Sequence, residues 1–128
     1  MENDRITKGQ GIRREVLGDA YVDAAAKNTN DFNRPFQELI NEYVWGTLWA
    51  REGLDRRTRA MINLAMLTAL GRTEEVKLYL KAGANVGVTR EDVREVLMQT
   101  AIYCGIPAAL DSFRAAQEVF NEQDAAPT

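Results

Sequence analysis

Apolar residues recur along this chain at intervals of three and four, the period of a helix that buries one face, and no stretch sustains the every-second-residue alternation of a half-buried strand. The pattern predicts an all-α protein of about six to seven helices. Pro35, Pro107 and Pro127 each fall where a helix start or a chain end accepts them. A first helix is predicted over residues 4–17, with Gly9 and Gly11 weakening its interior and Gly18 ending it, and a short one over 20–27. Asn33 is expected to cap a longer helix that carries Phe36, Leu39, Ile40, Val44 and Leu48 to about Arg51, where Gly53 stops it. Asp55 caps the next. Within it "MINLAMLTAL", residues 61–70, is apolar nearly all round, which predicts a central helix buried on most sides and closed by Gly71.

Thr73 can cap a helix through Asn85, with Gly87 beyond its end, and "TRED" at residues 89–92 has the form of a capping box with Asp in the Glu position. That box opens a helix to about Cys104. Gly105 and Pro107 then precede a last amphipathic helix, residues 108–120, whose apolar side holds Leu110, Phe113, Ala116, Val119 and Phe120. No repeat or linker interrupts the chain, so residues 1–128 are read as a single domain with a loose tail, "NEQDAAPT", at 121–128.

Composition narrows the class. A chain of 128 residues buries roughly 70% of its unfolded surface, and 45% hydrophobic with 27% charged residues is the balance of an ordinary globular protein. No apolar run approaches the ~20 residues that span a bilayer, and "MENDRITKGQ" lacks the apolar core of a signal peptide. The expectation is a cytoplasmic protein with no membrane partner. A net charge of −3 gives no long-range attraction for phosphate backbones, so no nucleic acid partner is expected. The chain has no histidine and one cysteine, Cys104, which leaves almost nothing from which to build a transition-metal site and rules out an internal disulfide. No metal and no cofactor are expected.

Several positions carry chemistry beyond packing. On the helix after Thr89, Val93, Leu97, Thr100, Ala101 and Cys104 share a core face, and a buried, inert thiol is expected there. The opposite side sets Glu95, Gln99 and Tyr103 in an i, i+4, i+8 stripe beside Met98 and Ile102, a mixture that suits a ligand cleft and a subunit interface equally. Trp45 and Trp49, one turn apart with Gly46 between them, read first as core or oligomer anchors and second as an aromatic wall for a flat ligand. Arg56, Arg57 and Arg59 lie in a first helical turn that favours anions, although Arg56 and Arg57 read first as a solvated basic cluster paired with nearby Glu or Asp. Arg59 shares a stripe with Asn63, Met66 and Leu70 and is expected to point toward packed structure.

Four linked motifs, "RPFQELI", "LDRRTR", "NVGVTREDVREVL" and "QTAIYCGIPAA", resemble the 4-carboxymuconolactone decarboxylase family over residues 11–120. The resemblance implies a small all-helical subunit assembled as a trimer or hexamer, acting without metal or organic cofactor to remove carbon dioxide from a lactone acid. It implies a catalytic position at Tyr79 in "KLYLKAG", where the family commonly has histidine, and another at Leu110 and Asp111, where decarboxylases often read Asn-His. The family also resembles alkyl hydroperoxidase helpers that use a Cys-x-x-Cys pair. Arg72 and Glu75 stand at those positions here, so thiol–disulfide chemistry is not expected.

Loss of carbon dioxide leaves an electron pair that must be held as an enolate and then protonated at carbon. A neutral tyrosine donates to such an oxyanion, which makes Tyr79 and Tyr103 candidate donors with Gln99 a non-titrating third, although Tyr79 reads equally as a packing residue whose hydroxyl finds a partner or solvent. Glu95 or Asp111 could move the proton, and Arg59 could orient a substrate carboxylate. The reading is a divergent, cofactor-free decarboxylase, or a catalyst of related proton transfer, for a small cyclic or unsaturated acid. The alternative is a non-catalytic family member that binds a small ligand or serves assembly.

Overall fold

The computed structural model describes residues 2–126, and every regular element among them is helical. In chain order these are α1 (Glu2–Leu17), α2 (Asp19–Lys27), α3 (Arg34–Leu39) running on into a π-helical segment (Ile40–Leu48), α4 (Arg56–Ala69), α5 (Thr73–Asn85), α6 (Arg90–Cys104) and α7 (Ile106–Ala125). The all-α class and the helix number agree with the sequence pattern. Two compact units contain these elements, Met1–Arg56 and Arg57–Thr128.

In the first unit α1 lies along the π-helical segment, with α2 beside α1. The two backbones approach so closely that a Cβ at Gly9 would collide with the Asn41 carbonyl, and one at Gly46 with the carbonyl of Arg5. Gly9, which weakens α1 as a helix former, is therefore the residue that lets α1 dock. The predicted single helix from Asn33 to about Arg51 instead widens after Leu39 into π geometry, marked by the Trp49 N–H donating to the Val44 carbonyl at 2.9 Å. Side-chain periodicity does not announce this change, because residues four apart still share a side. Trp45 and Trp49 stack with ring centroids 4.9 Å apart, and both are buried.

Asn33 does not cap α3 through its side chain, contrary to expectation. Its Oδ1 accepts from the Asn30 N–H at 2.8 Å, its Nδ2 donates to the Asn28 carbonyl at 3.0 Å, and the Asn30 side chain accepts from Phe32 and Asn33 in return. The asparagines are spent on closing the preceding turn.

In the second unit α7 packs against both α5 and α6. Its inward face of Ala109, Ser112, Ala115, Ala116 and Val119 is built mostly of small residues, which lets the neighbouring helices come close. α4 joins α7 through a buried hydrogen bond of 2.8 Å between the Thr68 and Ser112 hydroxyls. α6 begins at the predicted capping box: Asp92 N–H donates to the Thr89 hydroxyl at 3.0 Å and Thr89 N–H to the Asp92 carboxylate at 2.9 Å.

Three expectations are corrected here. The apolar helix α4 is not buried on most sides of the subunit, because Ala60, Leu64 and Thr68 face inward while Ile62 and Met66, and Leu70 just past its end, are exposed. Cys104 is exposed rather than buried, as the last residue of α6 after the exposed Ile102 and Tyr103. The last helix continues to Ala125, through most of the segment expected to be loose. Arg90 of α6 stacks over the Phe120 ring at 4.4 Å and holds Asp124 at 2.7 Å, which supports those added turns. Pro127 and Thr128, the rest of the expected tail, lie outside the described residues.

The two glycines of α1 should respond oppositely to substitution. Gly9→Ala forces a methyl group into backbone and is expected to lower unfolding free energy by about 1–3 kcal/mol or more. Gly11→Ala meets nothing nearby and should raise it by about 0.5–1 kcal/mol through the lost flexibility of the unfolded chain. Urea unfolding midpoints of the two variants check both signs.

Candidate functional site

Two helices carry stripes of the same spacing. Thr58, Met61, Ile62 and Ala65 on α4, and Val96, Gln99, Thr100 and Tyr103 on α6, each follow i, i+3, i+4, i+7, so each set forms one face of its helix. The faces line a cavity of about 460 Å³, with Arg57 and Cys104 completing its wall. That volume suits a small organic molecule. Met61, Ile62, Ala65 and Val96 give it an apolar lining, and the polar groups are few.

Those polar groups differ in how far they are already committed. The Thr100 hydroxyl donates back to the Val96 carbonyl at 2.8 Å, which leaves it only as an acceptor toward the cavity. Among the described residues the Gln99 amide and the Tyr103 hydroxyl have no hydrogen-bond partner, so both remain donors for a ligand. Arg57 is anchored, with Nη2 at 2.7 Å from the Asp92 carboxylate and Nε donating to the Gly87 carbonyl at 3.2 Å. The Thr89 backbone N–H, and after it the Arg57 guanidinium, hold the Asp92 carboxyl below the ordinary carboxylate range. The aspartate of the α6 capping box is thus also the counter-charge of the cavity's arginine.

Of the candidate donors and acids the structure brings Gln99 and Tyr103 to this cavity, together with Arg57 of the anion-favouring turn. Glu95 lies on α6 as an exposed side chain, and Asp111 on α7 is exposed with Arg114 at 3.9 Å. Tyr79 is half-buried on α5. Arg59 is half-buried with a covered Nε that has no hydrogen-bond partner, while Met66 and Leu70 of its stripe are exposed, so only its end of the stripe points into packed structure. Trp45 and Trp49 belong to the first unit, where Trp49 lines a separate cavity with Ile12 and Leu54. Sequence reasoning missed Thr58, Ile62 and Ala65. Their spacing matched that of the α6 stripe, but an all-round apolar sequence hid which side of α4 faces open space.

Among the described residues no three His, Cys, Asp or Glu side chains gather as a metal-binding group, and no helix is long and apolar enough to cross a membrane. Residues 34–118 match the model of the carboxymuconolactone decarboxylase family. An all-helical subunit with a small, mostly apolar cavity between two of its helices is thus joined to a family whose sequence model spans both. The chain is 39% identical to a 4-carboxymuconolactone decarboxylase of Acinetobacter baylyi over 98% of its own length and 94% of that protein. It is 37% identical to a nitrosuccinic acid decarboxylase of Metarhizium robertsii over 90% of its own length and 80% of that protein. This chain belongs to the carboxymuconolactone decarboxylase family.

Because the folded state lowers the Asp92 pKa, the stabilisation it supplies is complete above the unfolded value of about 3.9 and is lost as pH falls through the lower folded value. Asp92→Asn should therefore be less stable than the parent at neutral pH, and the difference should shrink as pH drops below about 4. Urea midpoints measured across that acid range test the convergence.

Proposed function

We propose that this protein is a cofactor-independent decarboxylase, or a catalyst of related proton transfer, for a small cyclic or unsaturated carboxylic acid bound between α4 and α6. The family supports the reaction class, and two similar proteins are named for the decarboxylation of different acids. Their substrates share a chemical need. When the bond to the carboxylate breaks, its electron pair must move onto an acceptor, a lactone carbonyl in one compound and a nitro group in the other. The observation that carries the reading is the pair of uncommitted donors, Gln99 and Tyr103, on the wall of an otherwise mostly apolar cavity.

In this mechanism the apolar lining holds the carbon skeleton and lowers the local dielectric, which strengthens hydrogen bonds to the developing oxyanion. The Gln99 amide and the Tyr103 hydroxyl donate to that oxygen. A proton is then delivered to carbon, with Glu95 and Asp111 the carboxyl candidates and Tyr79 a further donor. Arg57, tied to Asp92, and Arg59 contribute to binding the acid more than to rate, since a tight grip on the departing carboxylate stabilises the ground state.

A single subunit leaves the site open. Ile62 and Met66 on α4, Met98 and Ile102 on α6, and Leu110 and Phe113 on α7 are exposed apolar side chains. Further copies of the chain, as a trimer or hexamer, would cover these faces and bring Glu95 and Asp111 out of bulk water. The exposure of both carboxylates in one subunit also favours a second reading, a family member that binds a small acid without turning it over. Carbon dioxide release from a panel of lactone and nitro acids separates the two, because a binder shifts thermal stability but releases no product.

Tyr103→Phe removes one donor and keeps the ring. With a confirmed substrate it should lower kcat by about 10²–10³ and leave the melting temperature unchanged, since Tyr103 is 84% exposed in the subunit. Parent-like turnover would remove Tyr103 from the mechanism and pass the donor role to Tyr79. Native mass spectrometry at micromolar concentration should show a trimer or hexamer, and a monomer there would leave the apolar faces unexplained.

A further inference from the structure

We propose that the first unit contains a carboxylate-binding site built on Arg13, distinct from the α4–α6 cavity and not dependent on the reading of it. Arg13 is only 7% exposed although it carries a full charge. Its guanidinium projects from α1 toward α3 and the π-helical segment, and Nη1 donates to Gln37 Oε1 at 3.0 Å and to Asn41 Oδ1 at 3.2 Å. Both acceptors are neutral amides, which orient the guanidinium without balancing its charge. Among the described residues no carboxylate pairs with Arg13, and its covered Nε has no acceptor. Burying a cation in that state is costly unless an anion completes it.

The same side chain lines a cavity of about 540 Å³ within this unit. The other arginines there have found their counter-charges: Arg14 holds Asp19 at 3.1 Å and Asp23 at 2.9 Å, and Arg34 holds Asp31 at 2.7 Å. Glu38 is the one acid on the wall. Among the described residues, Arg13 is therefore the arginine of the cavity that no carboxylate pairs with. Nη1 is occupied by the amides and Nε is covered, so Nη2 is the atom left to donate to a carboxylate oxygen. Val22, Ala25 and Ala26 of α2 supply an apolar wall for a carbon skeleton. A small organic acid fits this combination better than an inorganic anion, which would leave the α2 wall unused.

Calorimetric titration of the whole protein at low ionic strength, with succinate and benzoate as probes and succinamide and benzamide as their neutral counterparts, tests the site. At least one acid should bind and its amide should not. Arg13→Gln should weaken that binding by at least ~10-fold. Because Arg13 also bridges α1 to Gln37 and Asn41, a second variant guards against a folding defect: Ala26→Trp, at an exposed position of α2, fills the cavity without touching the arginine and should cause a similar loss. No heat from either acid at millimolar concentration, equal binding of acid and amide, or undiminished binding by Ala26→Trp would overturn the proposal.

Discussion

The hydrogen bond between Thr68 and Ser112 sets the architecture of the second unit. It is buried and ties α4 to α7 at a position where both helices would otherwise present only apolar atoms. Neither hydroxyl can move away without leaving its partner unsatisfied, a cost of about 1–3 kcal/mol. α7 meanwhile packs on α5 and α6 through its small residues. With α4 held to α7 on one side and pinned to the start of α6 by the Arg57–Asp92 pair, the remaining faces of α4 and α6 form a walled cavity.

Charge compensation separates the arginines of this protein more clearly than their sequence contexts do. Arg57, Arg14, Arg34 and Arg90 each hold a carboxylate, and the first three also line cavities. Exposed pairs of this kind contribute little to stability, because water solvates both partners well. Their effect is to fix where the chain runs, as Arg90 does for the last turns of α7. Arg13 is the contrasting case, buried and bonded to two amides, with no carboxylate paired to it among the described residues.

The α4–α6 cavity has the polarity expected of a site that stabilises a delocalised anion: two neutral donors, an apolar lining and a cation already satisfied by its own counter-ion. In the proposed reaction, with no histidine in the chain, proton delivery to carbon falls to carboxyl or phenol groups, whose ordinary pKa values lie well to either side of neutrality. Such groups become effective acids near pH 7 only when their surroundings shift them, and burial is the usual means. In the proposed reaction, covering the exposed apolar faces would thus serve the chemistry as well as the stability of the subunit.

The helical class, the order of the elements and the capping box at Thr89 were legible in the sequence, because each depends on residues within a turn or two of one another. The motifs that carry the family were legible for the same reason. Gly9 looked like a flaw in a helix until the Asn41 carbonyl appeared where its side chain would be. The all-round apolar run in α4 could not say which of its sides stays open, since periodicity is erased when every position is apolar. The burial of Arg13 beside Gln37 and Asn41 joins residues 24 and 28 positions apart, and no local pattern marks one arginine among neighbours as the one turned inward. Local order was written in the spacing of residues, whereas the cavities and the charges left uncompensated within them were decided only when distant helices packed.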